Sequence, residues 1–439
     1  MKFKNRLLIF ILGLFLSHFS SANDFQSDTN SIKSVYLVTN LKENGQFIAS
    51  ILLEYEDTLL VSKALNKLYT VSVTLEGKSY GNRHIKNTYT TSSIENLNTH
   101  SPGKYVVIQL SEQDTNSDLY SIIESNTTPI TVKSNDGSKQ IIQKNKIPQF
   151  YNAALEYQIS QIGNNKLLNG QDVLPFTITV NANKNNIINP LIDNFQKDNI
   201  SISKKNYLNY RLYVPKTDKN NLYPLTVFLH GSGQVGKDNL AQLLSSQGAI
   251  ATLSSEEGFV IAPQYESIFD PFDVDNGFHW QTENRRKLLN MIIEKTLKQY
   301  PQIDKKRIYL IGLSRGAEGA LYLLLDNPDL FAGALLISGR EAYTKELMDG
   351  NASEQNLDKI KHLPIWFFHS RQDKIAPVHG TIRNVEILKK LGADNIKYTE
   401  FNFNHTPDNG FISNNAHNAW EAVFNSKSAV EWLLSQHKQ

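Results

Sequence analysis

The sequence predicts an all-β sandwich followed by a mostly parallel sheet with helices on both faces. Three observations carry this. The chain has 439 residues, too many for one ordinary domain. Short β-type runs dominate the front of the chain. From about residue 190 strands and helices alternate instead, which is the pattern of an α/β layer structure. Hydrophobic residues make up 40% of the chain and charged residues 20%, enough apolar material for two cores. The expected division is 1–22 as a targeting segment, 23–185 as the sandwich and 190–439 as the α/β unit.

The first 22 residues read as a secretory signal. Lys2, Lys4 and Arg6 form a basic start, Leu7 to Leu16 is almost unbroken apolar, and Ser20-Ser21-Ala22 offers small residues for cleavage. The rival reading is an uncleaved anchor, but the stretch falls short of the roughly 20 residues a span needs. Export to the periplasm or the extracellular space follows, with no membrane attachment once the signal is removed. The whole chain carries 45 basic and 43 acidic residues. Without the three leading bases the balance is one acid in excess, which argues against nucleic acid or an anionic membrane as partner. The chain has no cysteine, so thiol catalysis, disulfides and thiolate metal sites are excluded.

In the front unit, residues 34–39, 47–55, 68–75, 104–110, 130–133 and 175–180 are rich in Val, Ile, Tyr, Phe and Thr and are separated by Asn, Gly, Ser and Asp. That spacing predicts a sandwich. No catalytic type of His/Asp/Glu cluster stands out, so a structural or binding role is expected. Residues 181–206 are rich in Asn and Lys and read as a linker leading into the second unit.

In the second unit the predicted strands are 207–214, 225–229, 259–262, 307–311, 334–337, 365–369 and 398–403. Helices are predicted over 282–299, where Leu288, Leu289, Ile292, Ile293 and Leu297 share one face, and over 317–325, around 385–391 and over 416–434.

The chemical signal is Gly312-Leu313-Ser314-Arg315-Gly316, set between the strand RIYLI and the helix AEGALYLLL. A serine on such a tight strand-to-helix turn is raised above the sheet edge, and the glycines relieve crowding there. The alternative is a serine that merely caps the helix. A nucleophilic hydroxyl needs a base, an acid to orient the base, and N–H donors for the oxyanion. Asp373, in the loop after IWFFHS, is the candidate acid. His405, directly after YTEFNF, and His417, in Ala416-His417-Asn418-Ala419-Trp420, compete as the base, and spacing alone slightly favours His405. His362, His369 and His379 read as strand-end or loop residues. The glycine-rich turn Leu229-His230-Gly231-Ser232-Gly233 supplies candidate oxyanion donors, so the N–H groups of Ser232 and Arg315 are expected to face the nucleophile. His230 and Trp280, with His279, are candidate pocket residues that read equally as loop and core. The turn is not a P-loop. This chemistry calls for no cofactor and no metal.

At these residues the chain resembles the secreted esterases of the α/β-hydrolase superfamily related to feruloyl esterases and esterase D, including the branch called predicted peptidases. The resemblance covers about residues 190–436. It rests on YRLYVP, PLTVFLHGSG, VIAPQ, IDKKRIYLIGLSRGAEGAL, NPDLFAGALLISG, PIWFFHSRQDKIAPV and AHNAWEAVF. It implies an α/β-hydrolase fold and a His-Asn-x-Trp base, matched by His417-Asn418-Ala419-Trp420, which favours His417 over His405. It also implies Asp373 as the acid of an H-G-x-x-D-like segment, and an immunoglobulin-like front domain as some members have. The chain departs from the group at Arg315, where Met or another apolar residue is usual, and at Ala317, where a second glycine is usual. Hydrolysis of a carboxylic ester through Ser314, His417 and Asp373 is the expected function. The substrate would be a small acyl or feruloyl-type ester, free or linked to polysaccharide. Peptide hydrolysis by the same triad and an inactive glycan- or surface-binding protein are the alternatives.

Overall fold

The computed structural model describes residues 31–438 except 43–44, 61–64, 120, 127–129, 135–136, 142–143, 150–153, 217, 219, 274–276, 345–349 and 403–414. The signal segment lies outside the described residues. Among those described, no helix is long and apolar enough to cross a membrane.

The front unit is strand-rich, as expected. Its five-stranded sheet runs in the order Ile187–Ile188, Ile32–Lys42, Gly45–Tyr55, Tyr105–Leu110, Ile85–Thr91. A four-stranded sheet runs Phe176–Asn181, Leu155–Gln161, Tyr69–Leu75, Lys78–Asn82. Leu37, Ile51, Ile108, Val71, Tyr157 and Ile178 from both sheets form one core. Leu155–Gln161 is a strand the composition does not announce. Its outward Glu156, Gln158 and Ser160 interrupt the apolar run, while Leu155, Tyr157, Ile159 and Gln161 are buried at period two. Arg83 locks this unit. Its buried guanidinium donates to Asp114 Oδ2 (2.9 Å), Tyr157 Oη (2.8 Å), Ile48 O (3.0 Å) and Ser111 O (2.9 Å).

The Asn/Lys-rich stretch is structured. Ile187–Ile188 pairs in parallel with Leu37 and Val38, and Phe195–Ser201 is already the first strand of the second sheet.

That second sheet has eight strands: β1 (Phe195–Ser201), β2 (Tyr207–Tyr213), β3 (Tyr223–Leu229), β4 (Phe259–Gln264), β5 (Ile303–Leu313), β6 (Gly333–Ile337), β7 (Ile365–Ser370) and β8 (Ile396–Phe401). Their spatial order is β1-β2-β4-β3-β5-β6-β7-β8. Pairings β1/β2 and β2/β4 are antiparallel and all others parallel. Successive residues face opposite sides. Leu225, Val227 and Leu229 of β3 and Ile308 and Leu310 of β5 join one core. Phe228, Tyr309, Ile311 and Leu313 join the other.

The first core is closed by α1 (Glu283–Gln299), α2 (Arg315–Asp326) and α3 (His379–Lys390). Leu288, Leu289, Ile292 and Ile293 of α1 are buried as their spacing predicts, and Thr282 caps that helix by accepting from Arg285 N. The second core is closed by α4 (Trp420–Phe424) and α5 (Lys427–Leu434). The helix expected over 416–434 is therefore two helices preceded by a turn. Ser426 interrupts it, taking extended backbone and accepting from Ala429 N as the cap of α5.

The two units touch. Leu41 of the front sheet packs in the second core beside Phe195 and Leu243, and Gln247 Nε2 donates to Leu41 O (3.2 Å). The strand Lys144–Gln149 lies against the turn Ser232–Gln234.

Replacing Arg83 by Met leaves Asp114 and two carbonyls without their buried donor. The expected cost is about 3–5 kcal/mol, read as a lowered midpoint of the front-unit transition in urea.

Candidate active site

The C-terminal ends of β3, β5 and β7, with the turn before α4, converge on Ser314. Ser314 follows β5 directly, with φ 51° and ψ −121°, and its side chain makes no cap hydrogen bond to the helix it precedes. The hydroxyl is thus not a helix cap. The turn can close around this positive φ because the residues two positions to either side, Gly312 and Gly316, lack side chains. A Cβ on Gly312 would stand 2.3 Å from Gly316 O, and one on Gly316 would stand 1.9 Å from Leu229 O. The ends of β5, α2 and β3 are in backbone contact around the serine.

Ser314 Oγ lies 2.9 Å from His417 Nε2, and His417 Nδ1 lies 2.7 Å from Asp373 Oδ2. All three residues are buried. An ionised carboxylate only accepts, so the imidazole proton sits on Nδ1 and Nε2 is left to accept from the hydroxyl. Asp373 Oδ1 accepts from Ile375 N (2.8 Å) and Ala376 N (2.9 Å). His369 Nε2 lies 3.1 Å from Oδ2. Burial alone would raise the Asp373 carboxyl, but the donors from His369, His417 and Ala376 N outweigh it and hold the group well below the usual carboxylate range. His405 lies outside the described residues.

The turn after β3 sits against Ser314: a Cβ on Gly231 would come 3.3 Å from Ser314 Cβ. Ser232 begins the 3₁₀ turn Ser232–Gln234, and Arg315 begins α2. First-turn N–H groups of a helix have no intrahelical partner, and that of Arg315 stands at the positive end of the α2 dipole.

His230 and Trp280 are both 0% exposed, so they buttress this turn from behind instead of lining an open pocket. His230 Nδ1 bonds Gly231 O (2.6 Å), and Trp280 Nε1 donates to His230 O (2.8 Å). Burial pushes His230 down to about 4, so the ring is neutral. His279 is likewise buried, and burial holds it well below its usual value. Tyr265 packs against His230, His279 and Trp280, and Trp280 against His230, so these rings are held in one interior cluster.

Three residues near the site carry buried charge that sequence reasoning only half identified. Glu318 Oε2 accepts from Arg315 Nη1 (2.6 Å) and Gln281 Nε2 (2.5 Å), and its Oε1 accepts from Arg340 Nη1 (2.6 Å). The i, i+3 spacing of Arg315 and Glu318 signals their pairing. Arg340, from the loop after β6, has no such local signal. Arg315 also stands 5.9 Å from the centroid of Phe278. The contact of His369 with Asp373 was not foreseen either, although His369 is the histidine of the H-G-x-x-D-like segment that ends at Asp373.

Residues 34–173 match the family described as the esterase Ig-like N-terminal domain, and residues 216–414 match the family described as phospholipase/carboxylesterase. A thermostable esterase of known crystal structure is similar over 92% of this chain and 100% of its own, at 27% identity and a TM-score of 0.70. Est1E from Butyrivibrio proteoclasticus matches 55% of this chain and 98% of its own at 14% identity and TM-score 0.38. An S-formylglutathione hydrolase from Staphylococcus aureus matches 55% and 99% at 14% identity and TM-score 0.40. No curated protein sequence matches the chain significantly.

Two outcomes test the geometry. Gly316→Ala drives a Cβ into a main-chain oxygen and should cost about 3 kcal/mol or more, read by urea unfolding. Asp373 has a folded value below its unfolded one, so its stabilisation is present above about pH 4 and is lost as pH falls through the folded value. Asp373→Asn should lower stability at pH 7 and flatten its decline below pH 4, read from urea midpoints across pH.

Proposed function

We propose that this chain, a carboxylic ester hydrolase with an immunoglobulin-like front domain, cleaves its ester by acyl transfer through Ser314. The observation that carries the reading is the unbroken line from Ser314 Oγ through the His417 ring to Asp373. Ser314 Oγ attacks the acyl carbon as its proton passes to His417 Nε2. The oxyanion turns toward the N–H groups of Ser232 and Arg315, where fixed dipoles meet the charge as it develops. Asp373 stabilises the imidazolium through Nδ1–H. The tetrahedral adduct collapses, the alcohol leaves with the proton from Nε2, and an acyl-enzyme remains. Water, activated by His417, repeats the attack and releases the acid.

The substrate we infer is a small acyl or feruloyl-type ester, free or polysaccharide-linked, met after export. Half-buried Trp420, edge-on to His417 at 5.2 Å between centroids, offers aromatic surface beside the base. Such surface suits a flat aromatic acyl group.

The test follows p-nitrophenyl acetate and butyrate, methyl ferulate and a peptide anilide with the mature protein. Ser314→Ala and His417→Ala should each lose at least about a thousandfold in kcat, and fluorophosphonate labelling should vanish in Ser314→Ala. Undiminished turnover in Ser314→Ala would overturn the assignment, and methyl ferulate turned over no faster than water would remove the feruloyl class.

A further inference from the structure

Asp373 is held by more than the catalytic histidine. His369, the penultimate residue of β7, is 0% exposed. Its Nε2 lies 2.7 Å from Ala376 O and 3.1 Å from Asp373 Oδ2. A carbonyl and an ionised carboxylate can only accept, so Nε2 carries a proton that both share. Its Nδ1 lies 2.9 Å from Thr381 Oγ1 on α3. Thr381 has one hydroxyl proton, and the competing acceptor, Gly339 O, is farther at 3.2 Å. In the neutral ring that proton goes to Nδ1, which fixes the tautomer. The imidazole is thereby tied to its own strand, to the 373–376 turn and to α3.

The oxygen it grips is the one that accepts from His417 Nδ1. The other oxygen is already held by two amides. With His369 in place, each carboxylate oxygen has two donors, and the lone pair facing His417 has a fixed direction. Other charges around the ring are engaged elsewhere: Arg340 with Glu318 and Ile375 O, and Glu400, level with His369 on β8, with Arg371.

We propose that His369 is a positioning residue of the acyl-transfer site, which aims the Asp373 carboxylate at His417 by donating to Oδ2. This rests on the acyl-enzyme reading above. His369 touches no reacting atom, so its effect must pass through Asp373. The chemistry it requires is one N–H donor at that place, which an imidazole or a glutamine amide can supply and a phenyl ring cannot.

The experiment compares wild type, His369→Phe, His369→Leu and His369→Gln. Pre-steady-state acylation by p-nitrophenyl acetate is titrated to active sites with a fluorophosphonate, so only folded molecules count. The low-field proton resonance of the His417–Asp373 hydrogen bond is recorded alongside. Acylation should fall about tenfold in His369→Phe and His369→Leu, with KM little changed. Their low-field resonance should move from its wild-type position, and His369→Gln should restore both. Wild-type acylation and an unmoved resonance in the apolar variants would overturn the proposal. So would a His369→Gln as slow as the apolar pair, because that marks a packing role. If Ser314→Ala turns over ester undiminished, the acyl-enzyme reading itself fails. If Ser314 and His417 are required and His369→Phe is not impaired, only this inference fails.

Discussion

The site depends on a backbone contact: the first turn of α2 is pressed against the end of β3 with no room for a side chain between them. A Cβ on Gly316 would stand 1.9 Å from Leu229 O, and one on Gly312 would stand 2.3 Å from Gly316 O. This contact fixes two features together. It holds Ser314 at positive φ, with its hydroxyl turned away from helix capping and toward His417. It also brings the turn after β3 alongside, so that the amide-bearing ends of Ser232–Gln234 and α2 flank the same small volume. Ser314 and the candidate oxyanion donors lie on adjoining stretches of main chain, and Asp373 and His417 are brought to them by the loop after β7 and by the turn before α4.

Charge is treated differently on the two sides of the serine. On the histidine side a single carboxylate is saturated by four N–H donors, which keeps it ionised despite burial. Beneath α2 one carboxylate, Glu318, is shared by two arginines, leaving that buried group with one positive charge in excess. Glu318 takes three hydrogen bonds from this group, while Arg340 Nε has no partner among the described residues, so the buried excess charge is only partly compensated. Arg315, unusual against the resembled group, is thus integrated into the interior through Glu318.

Much of this was legible in the sequence because the periodicities are local. The α1 face, the β5–turn–α2 junction and the order serine, acid, histidine are all set by neighbouring residues. Ser314 and Asp373 could be named from the strand each follows. Between His405 and His417, local spacing slightly favoured His405; the bond described is that of His417 with Asp373, across 44 residues of chain, a distance no pattern along the strand encodes. The strand 155–161 was obscured by its polar outward face, and the 416–434 segment by a serine whose capping role overrides the apolar rhythm. Arg340, His369 and the burial of Trp280 and His230 are tertiary facts, fixed by which loops the sheet order brings together.

The glycine contacts also set what the site can become by mutation. At Gly248 an added Cβ would strike the ring of Phe228 at 2.2 Å, and a smaller residue at 228 could make room. At Gly316 the obstacle is the carbonyl of Leu229, which every residue type shares. No second substitution can remove a main-chain oxygen, so damage at Gly316 has no intragenic side-chain suppressor, whereas damage at Gly248 does. The turn at Ser314 is thus a position from which a lineage losing Gly316 returns only by reverting.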